Sequence, residues 1–201
     1  MNIQIVRKEH IKSVVELHLQ SFDGFFLTQL GEDFLCFFYE KLRCDERSKI
    51  LGAYDDMGKL VGFCAFTYLS SGFYSYLVKK NIVKFAYWGI RILIKKPSNL
   101  IRLLRNFKKE KNTTGDIGNY AELLSVATLP EMQGKGIGKR MLFEMEVDLK
   151  MKSCKSVSLT TDFENNEKVL YAYKSMGYDI LYDFISYPDR KMYRMIKKLD
   201  I

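Results

Sequence analysis

Residues 133–138 read Gln-Gly-Lys-Gly-Ile-Gly. Glycine loses more backbone entropy on folding than any other residue, so Gly134, Gly136 and Gly138 together need a local reason. Upstream, YAELLSVATL (120–129) is a strand-length apolar run that Pro130 ends. Downstream, IGKRMLFEMEVDLKM has helical periodicity. The loop therefore joins a strand to a helix N-terminus, where free backbone N–H groups and the positive dipole end favour an anion. Glycines would let a phosphate approach the backbone, and Lys135 and Lys139 add positive charge. A tight turn with no ligand would use the same residues. A Walker loop, GxxxxGK followed by Ser or Thr, is absent. The spacing GxGxG, late in the chain, also departs from the GxGxxG of an early dinucleotide-binding βαβ unit.

Working outward, NIQIV (2–6) alternates like a strand, and residues 9–22 place Ile11, Val14, Val15, His18 and Phe22 on one helical face. A second apolar-striped helix covers 32–42, with acids in its first turn. Residues 49–55 and 60–69 read as a hairpin. A basic segment follows, expected as two helices separated near Pro97, and then a loop at 112–119. After the glycine loop and its helix come a strand at 155–161 and a helix at 166–176 closed by Gly177. Two last strands fall near 178–184 and 191–196. The order β-α-α-β-β-insert-β-α-β-α-β-β predicts an α+β fold around a central mixed, mostly antiparallel sheet. The expectation is one domain over 1–201 with a basic helical insert at about 72–112.

Of the 201 residues, 47% are hydrophobic and 28% charged, which suits a globular chain with a core. Cys36, Cys44, Cys64 and Cys154 are widely spaced, and only His10 and His18 could join them. That argues against a zinc site or a disulfide framework and suits a reducing cytoplasm. The N-terminal residues do not read as a signal peptide. The most hydrophobic run, 85–94, is interrupted by Arg91 and falls short of the ~20 residues of a membrane span. Between Lys79 and Lys111 there are eleven Lys or Arg and one acid, Glu110. That segment carries +10 of a total of +8, leaving the remainder at −2.

Gln133-x-x-Gly136-x-Gly138 resembles the Q/R-x-x-G-x-G/A loop of the GNAT superfamily of acyl-CoA-dependent N-acetyltransferases. The flanking LSVATLPEMQGKGIGKRML and NEKVLYAYKSMGY resemble the family's strand–loop–helix and its following helix. In the second, Asn166, Tyr173 and Gly177–Tyr178 fall at the recurring positions, and Val169 stands where alanine is usual. The close resemblance spans about 120–180. It implies acetyl-CoA as co-substrate, with Gln133, Gly134, Lys135, Gly136, Ile137, Gly138 and Lys139 around its pyrophosphate. Val126, Ala127 and Thr128 would offer backbone groups to the pantetheine arm, and Asn166 would also contact the coenzyme. Tyr173 would protonate the departing thiol, a phenol being a donor at neutral pH; a core tyrosine is the other reading. Tyr171 and Tyr182 are expected in the core. No metal is implied.

Glu122 lies at a place resembling that of the catalytic glutamate in the histone-acetylating branch of the family. A carboxylate among apolar neighbours is more basic, which suits a base; a solvent-facing strand glutamate would look the same. The branch acting on ribosomal-protein N-termini has its glutamate at the position of Thr161, so that base is absent here, and Asp162 is off register.

The acceptor side is expected around 21–31, with Phe25, Phe26 and Leu27 flooring a pocket and Asp23 facing an amine, or with those aromatics simply in the core. The basic insert reads as a solvated appendage, as a site for an anionic acceptor such as a nucleotide-linked amino sugar, or as peripheral contact with anionic membrane. No nucleic-acid motif is present. The leading expectation is acetyl transfer to a small primary amine. The alternatives are a protein lysine or N-terminal acetyltransferase and a non-catalytic acyl-CoA-binding module. The last would have no need of Tyr173 or Glu122. Oligomeric state is left open.

Overall fold

The computed structural model describes residues 1–22, 25, 27–95, 115–186 and 189–200, with the backbone alone for Lys95. The helices are α1 (Ile11–Ser21), α2 (Glu32–Cys44), α3 (Phe73–Lys80), α4 (Ile82–Lys95), α5 (Ile137–Met151) and α6 (Glu167–Ser175). The strands are β1 (Asn2–Ile5), β2 (Ser48–Tyr54), β3 (Leu60–Thr67), β4 (Ala121–Thr128), β5 (Ser156–Asp162), β6 (Asp179–Ser186) and β7 (Arg190–Lys198). This is the expected α+β class, mostly antiparallel strands flanked by helices. Contacts divide the chain into two compact units, Met1–Tyr68 with Leu123–Lys152 and Leu69–Glu122 with Ser153–Ile201.

In the first unit β1, β2, β3 and β4 are neighbours in that order. The β2–β3 hairpin turns at Asp55, whose Oδ1 accepts the N–H groups of Met57 and Lys59 at 3.0 and 2.9 Å. All eight β3 residues are buried, and two adjacent ones show why. A Cβ on Gly62 would lie 3.0 Å from Met141 Cε of α5, whereas the Phe63 ring meets Tyr39 of α2 at 5.5 Å. Successive strand residues face opposite ways, so helices cover both sides of β3, and the one hydroxyl on it, Thr67 Oγ1, donates to the Arg47 carbonyl at 2.8 Å.

His18, buried between α1 and α2, holds Tyr39 Oη at 2.7 Å through Nδ1. Burial disfavours its charged form and lowers its pKa from 6.5 to about 4. The unfolded chain therefore takes up this proton near pH 6.5 and the folded chain only near pH 4, so stability is full above pH 6.5 and is lost as the pH falls. Urea unfolding should show this group costing about 2 kcal/mol between pH 7 and pH 5, a loss that a His18→Asn variant lacks. Equal losses in both proteins would remove His18 as the cause.

In the second unit β7 lies between β5 and β6, antiparallel to both, with Arg194 opposite Thr160 on one side and Tyr182 on the other. Gly177 at φ +87° follows α6, as the sequence predicts. The break expected near Pro97 lies outside the described residues, and an earlier one precedes it. α3 and α4 both precede Pro97 and are separated at Asn81, whose Nδ2 donates to the Leu77 carbonyl at 3.1 Å and whose N–H donates to Val78 O. An asparagine side chain competing for the last-turn carbonyls ends a helix without proline. Residues 96–114, which contain Pro97 and the rest of the expected insert, lie outside the described residues. Tyr171 is not in the core: it is 77% exposed, and no α6 side chain is buried. Apolar periodicity marks a helix but not whether another element covers its face. Among the described residues no helix is long and apolar enough to cross a membrane.

Candidate active site

The glycine loop belongs to the first unit. β4 leads into a 3-10 turn, Pro130–Met132, and Gln133 is extended at φ −65°, ψ 155°. Gly134 and Gly136 then take φ +76° and +75°, values that cost an L side chain roughly 1–2 kcal/mol. Gly136 is the N-cap of α5, with no side chain capping it and no acid in the first turn. Its partial positive charge is thus uncompensated, in contrast to α2, which begins with Glu32 and Asp33. A Cβ added at Gly134, Gly136 or Gly138 would meet nothing within 4 Å, so room lies open against this backbone. Lys135 and Lys139 are exposed beside it. The donor set and the open backbone fit a pyrophosphate. On the preceding strand Ala127 is buried, and Val126 and Thr128 are partly exposed.

Gly136→Val should leave the unit folded with only the left-handed strain to absorb, and should abolish acetyl-CoA binding by filling the open room. Isothermal calorimetry on the folded variant checks this. Unchanged affinity would remove the loop from the coenzyme site.

Asn166 and Tyr173 belong to the second unit. Asn166 precedes α6 and its Nδ2 donates to Thr161 Oγ1 and the Asp162 carbonyl, at 2.7 and 2.8 Å. The side chain thereby ties the helix start to the end of β5. Tyr173 is partly exposed, with its ring 5.8 Å from that of Tyr178.

Glu122 does not face solvent, and its surroundings are not purely apolar. It is 8% exposed, and its Oε1 accepts from Arg194 Nη1 at 2.8 Å. Ser70 Oγ donates to its Oε2 at 2.5 Å. Arg194, 2% exposed on β7, also donates to Ser158 Oγ of β5 at 3.1 Å. A guanidinium and a hydroxyl engage its two oxygens.

Beside this pair is a cleft lined by Ser70, Phe73, Asp116, Tyr120, Tyr182 and Arg194. Asp116 Oδ2 accepts from Tyr182 Oη at 2.8 Å and from Tyr120 Oη, and Oδ1 accepts the Gly118 N–H at 2.9 Å. Burial acts to raise its pKa, but the bonds from Tyr120, Gly118 and Tyr182 and the charge of Arg194 outweigh it and hold the carboxyl below its ordinary value. Burial, then Asp116 itself, pushes the Tyr120 phenol up, so it stays a donor. Tyr182, expected in the core, instead serves this cleft. Sequence reasoning passed over Asp116, Tyr120 and Arg194. Glu122 is the one charge in β4, but β7 carries five cations, so nothing in the sequence singled out Arg194 as its partner. Of the expected acceptor wall, Asp23 and Phe26 lie outside the described residues. Phe25 packs edge-on against Phe22 at 5.2 Å.

The sequence model of the Acetyltransferase (GNAT) family matches residues 11–178. The chain belongs to this family. It is accordingly an N-acetyltransferase that uses acetyl-CoA. No curated protein matches it. Among solved structures, the ribosomal-protein-S18-alanine N-acetyltransferase from Escherichia coli superposes with a TM-score of 0.63 at 12% identity, covering 100% of this chain and 94% of that one. A spermidine N-acetyltransferase, SpeG, from Vibrio cholerae gives 0.62 at 12%, covering 99% and 95%. An aminoglycoside 6'-acetyltransferase type Ii gives 0.62 at 14%, covering 100% and 99%. At these identities the likeness is one of GNAT fold. The three act on different amines, so the acceptor here has to be argued from this chain's own residues.

Proposed function

We propose that this GNAT enzyme acetylates the primary amine of a small polar acceptor, an amino sugar or a comparable anionic metabolite, seated in the cleft of the second unit. The observation that carries this reading is the clustering of Asp116, Tyr120, Tyr182, Ser70 and Arg194 around one cleft. Asp116 is an ionised carboxylate able to receive an amine. The serine and tyrosine hydroxyls suit an acceptor rich in hydroxyls, and Arg194 brings a cation to the same wall.

In the proposed reaction the amine nitrogen bonds to the acetyl carbon as the carbon–sulfur bond breaks. The loop from Gln133 to Lys139 holds the pyrophosphate, and backbone N–H groups of Val126, Ala127 and Thr128 polarise the thioester carbonyl. Tyr173 gives its proton to the leaving sulfur. We assign Glu122 the task of fixing Arg194 and Ser70 at the cleft, with base catalysis as the competing role. An amine held beside a carboxylate arrives as ammonium; it gives one proton to solvent water before it attacks, and the proton shed by the nitrogen as the amide forms restores the Tyr173 phenol.

The test is a screen reading CoA thiol release from acetyl-CoA with amino sugars, polyamines and peptides. Turnover of a small hydroxylated amine, with KM raised in Asp116→Asn and kcat little changed, is the expected result. Turnover of peptides alone would overturn the reading in favour of a protein acetyltransferase.

A further inference from the structure

α4 carries an apolar face that is exposed among the described residues. Ile82, Val83, Tyr87, Ile90, Leu93 and Ile94 are each more than half exposed, up to 79% at Val83. At 3.6 residues per turn they span one arc of about 140°. Ile92, on the opposite side, is buried. The spacing 83, 87, 90, 94 runs along the half of the exposed arc next to Lys84 and Arg91, so this is a continuous stripe and not scattered surface residues. Lys84 and Arg91 border one edge. The Arg91 guanidinium lies 5.0 Å from the Trp88 ring centroid and 5.8 Å from that of Tyr87. From Phe73 to Lys95 the sequence has five cations, Lys79, Lys80, Lys84, Arg91 and Lys95, and no acid.

We infer that α4 docks this face onto an anionic lipid surface. An exposed apolar stripe with Tyr87 at its edge, bordered by lysine and arginine, is the composition of a helix lying in the plane of a membrane interface. Fourteen residues make a helix about 21 Å long, too short for a hydrocarbon core of about 30 Å. The helix therefore lies on the bilayer, with its apolar side about 5–10 Å deep. Charge chooses between a bilayer and a second copy of the chain. A two-fold contact through this stripe would bring two acid-free sets of cations together, whereas an anionic headgroup layer neutralises them. The inference is independent of which amine is acetylated.

With phosphatidylcholine–phosphatidylserine vesicles the protein should sediment, and a tryptophan placed in the stripe by Ile90→Trp should shift its emission to the blue and be quenched by brominated lipid. Phosphatidylcholine vesicles alone should bind far less. Lys84→Gln with Arg91→Gln should weaken binding roughly fivefold per cation, an effect that shrinks in high salt. Val83→Ser with Ile90→Ser and Ile94→Ser should weaken it by more than about tenfold at any salt concentration. All five side chains are solvent-facing or at the stripe's edge, so both variants should keep the parent's melting temperature and its turnover of a soluble acceptor. Absence of sedimentation and of the Ile90→Trp emission shift would overturn the proposal. So would equal binding to neutral vesicles, or vesicle binding untouched by the triple serine variant. A dimer in light scattering that this variant dissociates would also overturn it, in favour of a second copy.

Discussion

Glu122→Gln should lower the unfolding free energy by about 3–5 kcal/mol, because it strands a buried guanidinium. Glu122 and Arg194 are 8% and 2% exposed and meet at 2.8 Å, so solvent screens the pair little. Glutamine keeps the shape and one oxygen but removes the counter-charge. Arg194→Met should cost a similar amount by leaving the carboxylate buried. The double variant Glu122→Leu with Arg194→Met should recover much of the loss, since neither charge then needs hydration. Urea unfolding of the two single variants and the double variant measures the coupling. Strictly additive losses would mean the two charges do not depend on each other. The double variant also separates structure from catalysis. If it folds and keeps the acid-side limb of the kcat/KM profile, Glu122 is a positioning residue. If that limb vanishes, Glu122 is the base.

Tyr173→Phe should lower kcat by ~10²–10⁴-fold, the usual contribution of a general acid, with little change in KM for acetyl-CoA. Phenylalanine keeps the ring that packs 5.8 Å from Tyr178, and the residue is partly exposed, so stability should hardly move. Burst kinetics would show whether the thiolate departure step is the one slowed. A variant with full kcat would make Tyr173 a packing residue of α6, the other role its position allows.

Much of the fold was legible because the signals are local. The strand before the glycine loop, the helix after it and the stop at Gly177 rest on periodicity and backbone freedom within a few residues. Gly134 and Gly136 do adopt the positive φ values that explain them. Local signals also misled. Tyr171 has the spacing of a core residue yet faces solvent, and Asn81 breaks a helix where only Pro97 drew attention. The open room at the loop and the uncompensated α5 N-terminus follow the same local logic.

What the sequence determined by itself is the strand–loop–helix that makes an anion site, the family it resembles, and a basic segment with no acid from Phe73 to Lys95. What only the tertiary structure decided is which distant side chains meet. Glu122 and Arg194 are 72 residues apart, and Asp116 and Tyr182 are 66 apart. They come together because β7 inserts between β5 and β6, placing Arg194 opposite Tyr182. Strand order depends on which pairings bury the most apolar surface across the whole chain, and no short window of residues encodes that choice. The cleft, the buried charge pair and the exposed face of α4 all follow from that long-range packing.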